Sequence, residues 1–332
     1  MLPSSSPAKD AGLSTLKLGF KSRWEHYLNL FYLVLRMEIT DVFGNALEIL
    51  KRNPKAIVPY ALFSLLVGGM ALIYIFSGLS GLGINLVGYP ATLTTNITNA
   101  AELLPFLKSV VFFAFFLSII SFFIKPVLTG LYISAADRGY VSKAPSLSAA
   151  FKVAKKRYLS LLATELLIIL IFAATFAILA AIFLLPMILF GTHASTAIWL
   201  ILGIILLVIF LVLLEMFLYQ AYVVVILENL GAVQAIKKSI EIGKKNLLKI
   251  FIVFLISAII LSLYGVLISV LQIILEFVFG DVLLGSTISQ IINFILSSGI
   301  TVWFIFVSVG FYNAYVSKRK STKSKRHRKR RR

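Results

Sequence analysis

Residues 247–279 read LLKIFIVFLISAIILSLYGVLISVLQIILEFVF, and this stretch decides the fold of the chain. It is longer than the roughly 20 apolar residues that a helix needs to cross about 30 Å of hydrocarbon. Its apolar residues do not alternate with polar ones, as they do in the strands of a membrane β-barrel. Five similar stretches lie near residues 56–77, 107–134, 159–190, 196–227 and 288–316. We therefore predict an all-α integral membrane bundle of six transmembrane helices.

The composition agrees with a membrane protein and excludes several classes of chemistry. The chain is 60% hydrophobic, whereas soluble proteins average about 45–50%. It contains no cysteine, which excludes disulfides, thiolate metal ligands and cysteine nucleophiles. The sequence also lacks the common catalytic and nucleotide-binding motifs. We therefore expect a non-enzymatic protein with no cofactor and no bound metal.

The basic residues indicate how the six helices are oriented. With residue 1 in the cytoplasm, every Lys and Arg except Lys108 and Lys125 falls in a cytoplasmic segment, namely 1–55, 135–158, 228–249 or 317–332. Short cytoplasmic loops of membrane proteins carry such an excess of Lys and Arg. We therefore predict a cell-membrane protein with both termini in the cytoplasm. Its parts are a cytoplasmic N-terminal segment (1–55), a six-span membrane domain (56–316) and a basic cytoplasmic tail (317–332).

Three short segments with a common pattern precede the first, third and fifth apolar stretches. They read LEILKRN (47–53), FKVAKKR (151–157) and IEIGKKN (240–246). The shared order is apolar, charged, apolar, any residue, basic, basic, polar. We therefore predict three helical-hairpin repeats, each opened by a basic amphipathic helix in the cytoplasmic surface of the membrane. The alternative is three unrelated helices that are basic only because they face the cytoplasm.

Two features lie outside the repeats. Aromatic and apolar residues recur at helical spacing between Trp24 and Leu35, so we predict a further helix lying flat at the interface. The longest outer connection, residues 78–105, contains the sequon Asn96-Ile97-Thr98. Asn96 is therefore a candidate for N-glycosylation.

Residues 219–251, YQAYVVVILENLGAVQAIKKSIEIGKKNLLKIF, carry a resemblance to a known family. A returning span, an acidic residue, a glycine-containing turn, AIKKS and then GKKN resemble the prokaryotic multi-span membrane domain that is fused to some glycerophosphodiester phosphodiesterases, and its stand-alone relatives. The resemblance implies a helical membrane module. It implies no catalytic residue, because the phosphodiesterase chemistry belongs to a separate soluble barrel.

Charged residues inside the apolar stretches are candidates for function, because burying a charge in a membrane is costly. Lys125, Glu165 and Glu215 lie at comparable depths, whereas Glu276 lies close to the outer end of its span. Lys125 also precedes Pro126, which often kinks a helix. The first three residues form a candidate polar site for an ion or a lipid headgroup. The alternative is an ion pair between helices that only fixes their packing.

The basic tail, KRKSTKSKRHRKRRR, is the strongest local signal for a partner. Anionic lipid headgroups attract Lys and Arg near the membrane surface, and nucleic-acid phosphates do the same. The tail has no aromatic residue on which a base could stack. Candidate contacts for anionic headgroups or a cytosolic partner are Lys155, Lys156, Arg157, Lys237, Lys238, Lys244, Lys245, Lys318, Arg319, Lys320, Arg328, Lys329, Arg330, Arg331 and Arg332.

These features leave three hypotheses for the function. The leading one is a non-enzymatic protein that organises or senses the cytoplasmic leaflet through its basic helices and tail. The second is a transporter or lipid-handling protein that uses the polar site inside the membrane. The third is an insertase-like factor whose tail docks on the ribosome or on nucleic acid.

Overall fold

The computed structural model describes residues 39–81, 100–141, 146–190, 194–280 and 282–317. Within these ranges the chain is helical and forms no strand. A 3-10 turn at Pro54–Ile57 joins the first helix to the second, and a π-helical turn at Asn313–Ser317 follows the last. The α-helices are α1 (Thr40–Arg52), α2 (Val58–Gly81), α3 (Ala100–Val141), α4 (Leu147–Lys156), α5 (Tyr158–Phe190), α6 (Ala194–Leu218), α7 (Ala221–Leu227), α8 (Ala232–Lys245), α9 (Leu247–Phe279) and α10 (Val282–Tyr312).

Six segments of the described chain are long and apolar enough to cross a membrane, which confirms the predicted number of spans. These segments indicate a multi-pass membrane protein. The largest difference from the predicted boundaries is in the second span, because α3 continues to Val141 instead of ending near residue 134. The six segments are Pro54–Tyr74, Leu107–Val141, Tyr158–Phe183, Ile201–Leu227, Leu247–Phe279 and Leu284–Val316.

The fourth span is interrupted between α6 and α7, at Tyr219 and Gln220. Ser239 of α8 bridges the break: its Oγ accepts a hydrogen bond from the Gln220 backbone N–H at 3.1 Å and donates one to the Phe217 carbonyl at 2.7 Å. A Cβ on Gly243, one turn further along α8, would lie 3.0 Å from the Phe217 Cα. Backbone groups freed by a break in a membrane helix need other partners. Ser239 supplies them, and Gly243 lets α8 come close enough.

The short helices α1, α4 and α8 pack against the final turns of the returning spans α3, α6–α7 and α10. Helix α1 contacts α10, α4 contacts α3, and α8 contacts α6 and α7. The Trp303 indole N–H donates to the Phe43 carbonyl at 3.3 Å, which ties the first described helix to the last. Since α2 also contacts α10, the spans close into a ring. The end of the bundle where α1, α4 and α8 lie is called the basic end below.

The packed core lies at the basic end. Its largest fully buried side chains include Tyr132, Phe306 and Phe311, and its members come mainly from 39–56, 128–136, 216–226 and 302–315. The Tyr132 hydroxyl accepts a hydrogen bond from the Tyr60 backbone N–H at 3.0 Å, which joins the start of α2 to the end of α3. The three returning helices α3, α7 and α10 therefore meet at the centre of this end.

Candidate functional site

The depths left Lys125 able to pair with either Glu165 or Glu215. In the structure Lys125 of α3 pairs with Glu165 of α5, with the Lys125 Nζ 3.2 Å from the Glu165 Oε1. The two side chains differ in burial: that of Lys125 is 52% exposed and that of Glu165 is 9% exposed. The second carboxylate oxygen of Glu165, Oε2, is buried and has no hydrogen-bond partner among the described residues. A buried carboxylate oxygen without a partner is costly, and among the described residues the pair satisfies only one of the two Glu165 oxygens.

The third member of the predicted site, Glu215, lies within electrostatic range of both Lys125 and Glu165. It makes no ion pair within 4.0 Å in the part of the chain that the structure describes. The structure therefore brings two of the three residues into contact and places the third nearby. Glu276 accepts a hydrogen bond from the Gln272 side chain at 2.9 Å, one turn earlier on α9.

The basic pairs of the three short segments occupy equivalent places. Each pair lies in the last turn of its helix, and each is exposed. The residue after each pair, Asn53, Arg157 or Asn246, is the C-cap of that helix. We call these six basic residues the basic surface; they are Lys51, Arg52, Lys155, Lys156, Lys244 and Lys245.

Acidic side chains on α1 and α8 form ion pairs with some residues of the basic surface. Glu241 lies 3.1 Å from the Lys238 Nζ and 2.5 Å from the Lys245 Nζ. The hydrogen bonds from Lys245 and Lys238 lower the pKa of the Glu241 carboxyl from its ordinary 4.5 to about 2. Arg52 pairs in the same way with Glu48, one turn earlier on α1. Lys237, also predicted as a lipid contact, is exposed on α8.

Arg157, another predicted lipid contact, has a different environment from the lysines beside it. It is partly buried, and its Nη2 donates to the Asn229 Oδ1 at 2.5 Å. Asn229 has a left-handed backbone, with φ of 56°, and asparagine adopts that conformation more readily than most residues. Arg157 therefore links the α4–α5 junction to the turn between α7 and α8.

A polar cavity of about 380 Å³ opens among the final turns of α3, α7 and α10, and the sequence had not marked it as a site. Its lining includes Asp137, Arg138, Glu228, Tyr312 and Asn313. The Tyr312 hydroxyl donates a hydrogen bond to Glu228, and the Asn313 amide donates to Asp137 at 3.5 Å. One sequence signal pointed here: an acidic residue, Asp137 or Glu228, follows the predicted end of each of the first two returning spans.

Several predicted sites lie outside the described residues. These are the glycosylation candidate Asn96, the interfacial helix near 24–35, and the tail with Lys318, Arg319, Lys320, Arg328, Lys329, Arg330, Arg331 and Arg332. Within the described residues, no group of three or more His, Cys, Asp or Glu side chains is placed to hold a metal ion.

Comparison with known proteins identifies a family. Residues 37–316 match the family described as a domain of unknown function, DUF7847, and the chain belongs to that family. The match covers all six spans and the three short helices. No curated protein and no solved structure matches the chain significantly. The family description carries no activity, so function has to be inferred from the geometry.

Proposed function

We propose that this member of the DUF7847 family is a non-enzymatic protein of the cell membrane that organises or senses the cytoplasmic leaflet by binding anionic headgroups. The observation that carries the proposal is the basic surface: three exposed basic pairs, each in the last turn of a helix whose other face is buried against the bundle. Both termini would lie on the cytoplasmic side, where the basic tail adds to the same surface.

The packing of the short helices suits this role. Helix α1 buries Val42, Ala46 and Ile49 in the protein core, and α8 buries Ile236 and Ile242. Their apolar faces therefore pack mainly on the protein's own spans, whereas a free interfacial helix buries its apolar face in lipid. A helix held this way presents its lysines at fixed positions. Lys and Arg near an anionic membrane surface contribute about 1 kcal/mol each.

We further propose that the chain consists of three hairpin repeats. Two observations support this. The polar residue of each sequence segment is a helix C-cap, at Asn53, Arg157 and Asn246. In addition, each short helix contacts the returning span that precedes it around the ring, with α1 contacting α10 to complete the cycle. Three unrelated helices would not be expected to share both features.

Binding of short-chain lipids to the full-length protein in detergent tests the leaflet proposal. Dioctanoyl phosphatidylglycerol should bind more tightly than dioctanoyl phosphatidylcholine, with an affinity that falls as salt rises. The double variant Lys155→Gln/Lys156→Gln should bind the anionic lipid about thirtyfold more weakly, since two contacts of about 1 kcal/mol are lost. Lys108→Gln is the control and should bind normally, because Lys108 lies on α3 in the distal half of the bundle, the half away from the basic end. Equal affinity for the two lipids would refute the proposal.

The proposed orientation has its own test, which the absence of native cysteines makes simple. Ser148 lies on α4 at the basic end and Phe279 at the opposite end of α9, and both are exposed. A membrane-impermeant maleimide should label Phe279→Cys in intact cells. It should label Ser148→Cys only after the cells are permeabilised. The reverse pattern would place the basic surface outside the cell.

A second candidate function, lipid handling or transport through Lys125, Glu165 and Glu215, is favoured by the unpartnered Glu165 Oε2. A transported ion or headgroup amine would supply the missing partner. Against this, none of the three residues lines the polar cavity among the final turns of α3, α7 and α10. If the site transports a substrate, Lys125→Met should abolish transport in proteoliposomes while the protein still folds and inserts.

The remaining proposals concern the tail and the family relationship. Ribosome co-sedimentation with full-length protein, but not with a 1–317 truncation, would favour the insertase-like role over a lipid-binding tail. We also retain as a proposal the relation to the membrane domain fused to glycerophosphodiester phosphodiesterases. That proposal rests on the stretch 219–251, in which Ser239 and Gly243 hold α8 against the broken fourth span.

A further inference from the structure

A second cavity, apolar and of about 370 Å³, lies next to the polar cavity along the same helices. Its walls come from α3, α7, α9 and α10 and from the residues at the break in span four. They include Ile133, Val223, Leu261, Ile300 and Phe304. Both cavities are at the small end of the range of ligand sites, which is about 300–1,000 Å³.

The two cavities follow one another in register on three helices. On α3 the lining passes from Ile133 in the apolar cavity to Asp137 in the polar one. On α7 it passes from Val223 to Leu227, and on α10 from Ser308 to Tyr312. Each step is four residues, which is one helical turn and about 6 Å. The same faces of the same three helices therefore line an apolar compartment and, one turn nearer the basic end, a polar one.

The polar compartment has the chemistry of a zwitterionic headgroup. Asp137 on α3 and Glu228 at the C-cap of α7 are hydrogen-bond acceptors, and Arg138 is a donor on the same wall. A primary ammonium has three N–H donors and suits two carboxylates, whereas a guanidinium suits a phosphate. A quaternary ammonium has no N–H donor, and proteins usually bind it in a cage of several aromatic rings. Only Tyr312 among the lining residues is aromatic.

We infer that the basic end contains a site for one aminophospholipid of the phosphatidylethanolamine type. Its ammonium lies between Asp137 and Glu228, its phosphate faces Arg138, and the first part of an acyl chain occupies the apolar cavity. Tyr312 and Asn313 hold the two carboxylates in place through their hydrogen bonds. This site is separate from the basic surface, which faces outward on α1, α4 and α8, and it uses none of the residues Lys125, Glu165 and Glu215.

The test measures retention of radiolabelled dioleoyl phosphatidylethanolamine by the full-length protein in detergent, with phosphatidylcholine and phosphatidylglycerol of the same chains as competitors. The expected result is one bound lipid per protein and at least about tenfold preference for phosphatidylethanolamine over either competitor. If both competitors displaced the label as well as unlabelled phosphatidylethanolamine does, the bound lipid would be non-specific lipid around the spans, and the site would be overturned.

Two sets of variants separate the head and chain compartments. Asp137→Asn/Glu228→Gln keeps oxygens that accept hydrogen bonds from Asn313 and Tyr312, so it should fold yet lose the preference for phosphatidylethanolamine. Ser297→Phe places a ring in the apolar cavity, since Ser297 is one of its lining residues, and it should lower retention at least about tenfold. Its matched control is Ser269→Phe, an exposed serine on α9 that also hydrogen-bonds its own helix backbone.

The outcomes distinguish this site from the proposed function. Lys155→Gln/Lys156→Gln should retain phosphatidylethanolamine normally, and Ser297→Phe should bind the anionic short-chain lipid normally. Equal retention by Ser297→Phe and Ser269→Phe would overturn the chain compartment. An unchanged lipid preference in Asp137→Asn/Glu228→Gln would overturn the head compartment. If Ser297→Phe unfolds, the Asp137→Asn/Glu228→Gln variant still decides the site.

Discussion

The basic end and the distal half of the bundle are built from the same six spans but are held together differently. At the basic end, Phe306 and Phe311 are 1% and 0% exposed. In the distal half, Phe112 and Phe277 are 73% and 88% exposed. Apolar side chains in the distal half face outward, where a membrane would supply lipid. The buried rings at the basic end contribute to contacts between helices. The exposed rings of the distal half contribute to holding the protein in the bilayer.

Most of the hydrogen bonds between the described helices lie toward the basic end, although the Tyr264 hydroxyl of α9 also donates to Asn293 of α10 further along the bundle. At the basic end, hydrogen bonds link α1 to α10, the start of α2 to the end of α3, and α8 to both sides of the break in span four. Lipid is as apolar as a leucine side chain, so helices in a membrane associate through close packing and hydrogen bonds and gain little from burying apolar area. The comparison predicts that stability is concentrated at the basic end.

The largest expected effect comes from removing a core ring. Phe306→Ala should lower the free energy of unfolding by about 3–5 kcal/mol, because it leaves a cavity in the core of the basic end, where Phe306 is buried. Phe277→Ala, at an 88% exposed position on α9, should change it by less than about 1 kcal/mol. Unfolding by SDS in mixed micelles measures both. Similar losses of unfolding free energy in the two variants would contradict the proposed difference between the two halves.

Overpacking should give the next largest effect. A Cβ on Gly130 would lie 2.5 Å from the Leu161 Cδ1 and 3.3 Å from the Ala154 Cβ, whereas one on Gly265 would meet nothing within 4 Å. Gly130→Leu should therefore cost about 2–3 kcal/mol, and Gly265→Leu should cost little. The same SDS titration measures this pair. A tolerated leucine at residue 130 would show that α3, α4 and α5 are not closely packed.

The Lys125–Glu165 pair should give an intermediate effect. Lys125→Met leaves a carboxylate buried without its cation, but the lysine is half exposed, so the expected cost is about 1–2 kcal/mol. Adding Glu165→Gln should recover most of that loss, because the uncompensated charge is removed. Lys108→Met is the control. A double variant no more stable than Lys125→Met would mean that the charge of Glu165 is not the source of the cost.

The smallest expected effect is the pH dependence of the stability that the Glu241 ion pairs contribute. Its pKa is about 2 in the folded protein and near 4.5 when unperturbed. The ion-pair contribution is therefore complete above about pH 4.5 and is lost as pH falls toward 2, because the unfolded chain takes up the proton first. The melting temperature of the wild type should fall slightly more than that of Glu241→Gln across this window. About 1 M salt should reduce this difference in melting temperature between the two proteins. Parallel curves of melting temperature against pH would contradict the prediction.

The spans were predictable because a membrane helix is defined by length and composition alone. The Lys125–Glu165 contact was predictable for a related reason: two rare charges at similar depth on neighbouring helices have few other partners. The basic pairs in the last turns of α1, α4 and α8 followed from their fixed distance to the next span.

The break in the fourth span and the polar cavity could not be predicted, because they depend on contacts between distant parts of the chain. Nothing in the apolar stretch near Tyr219 and Gln220 signals a break, because the hydroxyl that bridges it belongs to Ser239, 19 residues later. The polar cavity was missed for a similar reason. Asp137 lay beyond the predicted end of its span, and its partner Asn313 is 176 residues away in sequence.

The contact between Phe43 and Trp303 has a consequence for biosynthesis. The two residues are 260 positions apart, so α1 is made first but its partner on α10 is made last. The first hairpin therefore enters the membrane without its closing neighbour, and the ring is completed only after translation of the sixth span. Contacts between residues so far apart in sequence form slowly. A ribosome stalled before residue 303 would hold an open bundle whose first short helix has not yet docked on α10.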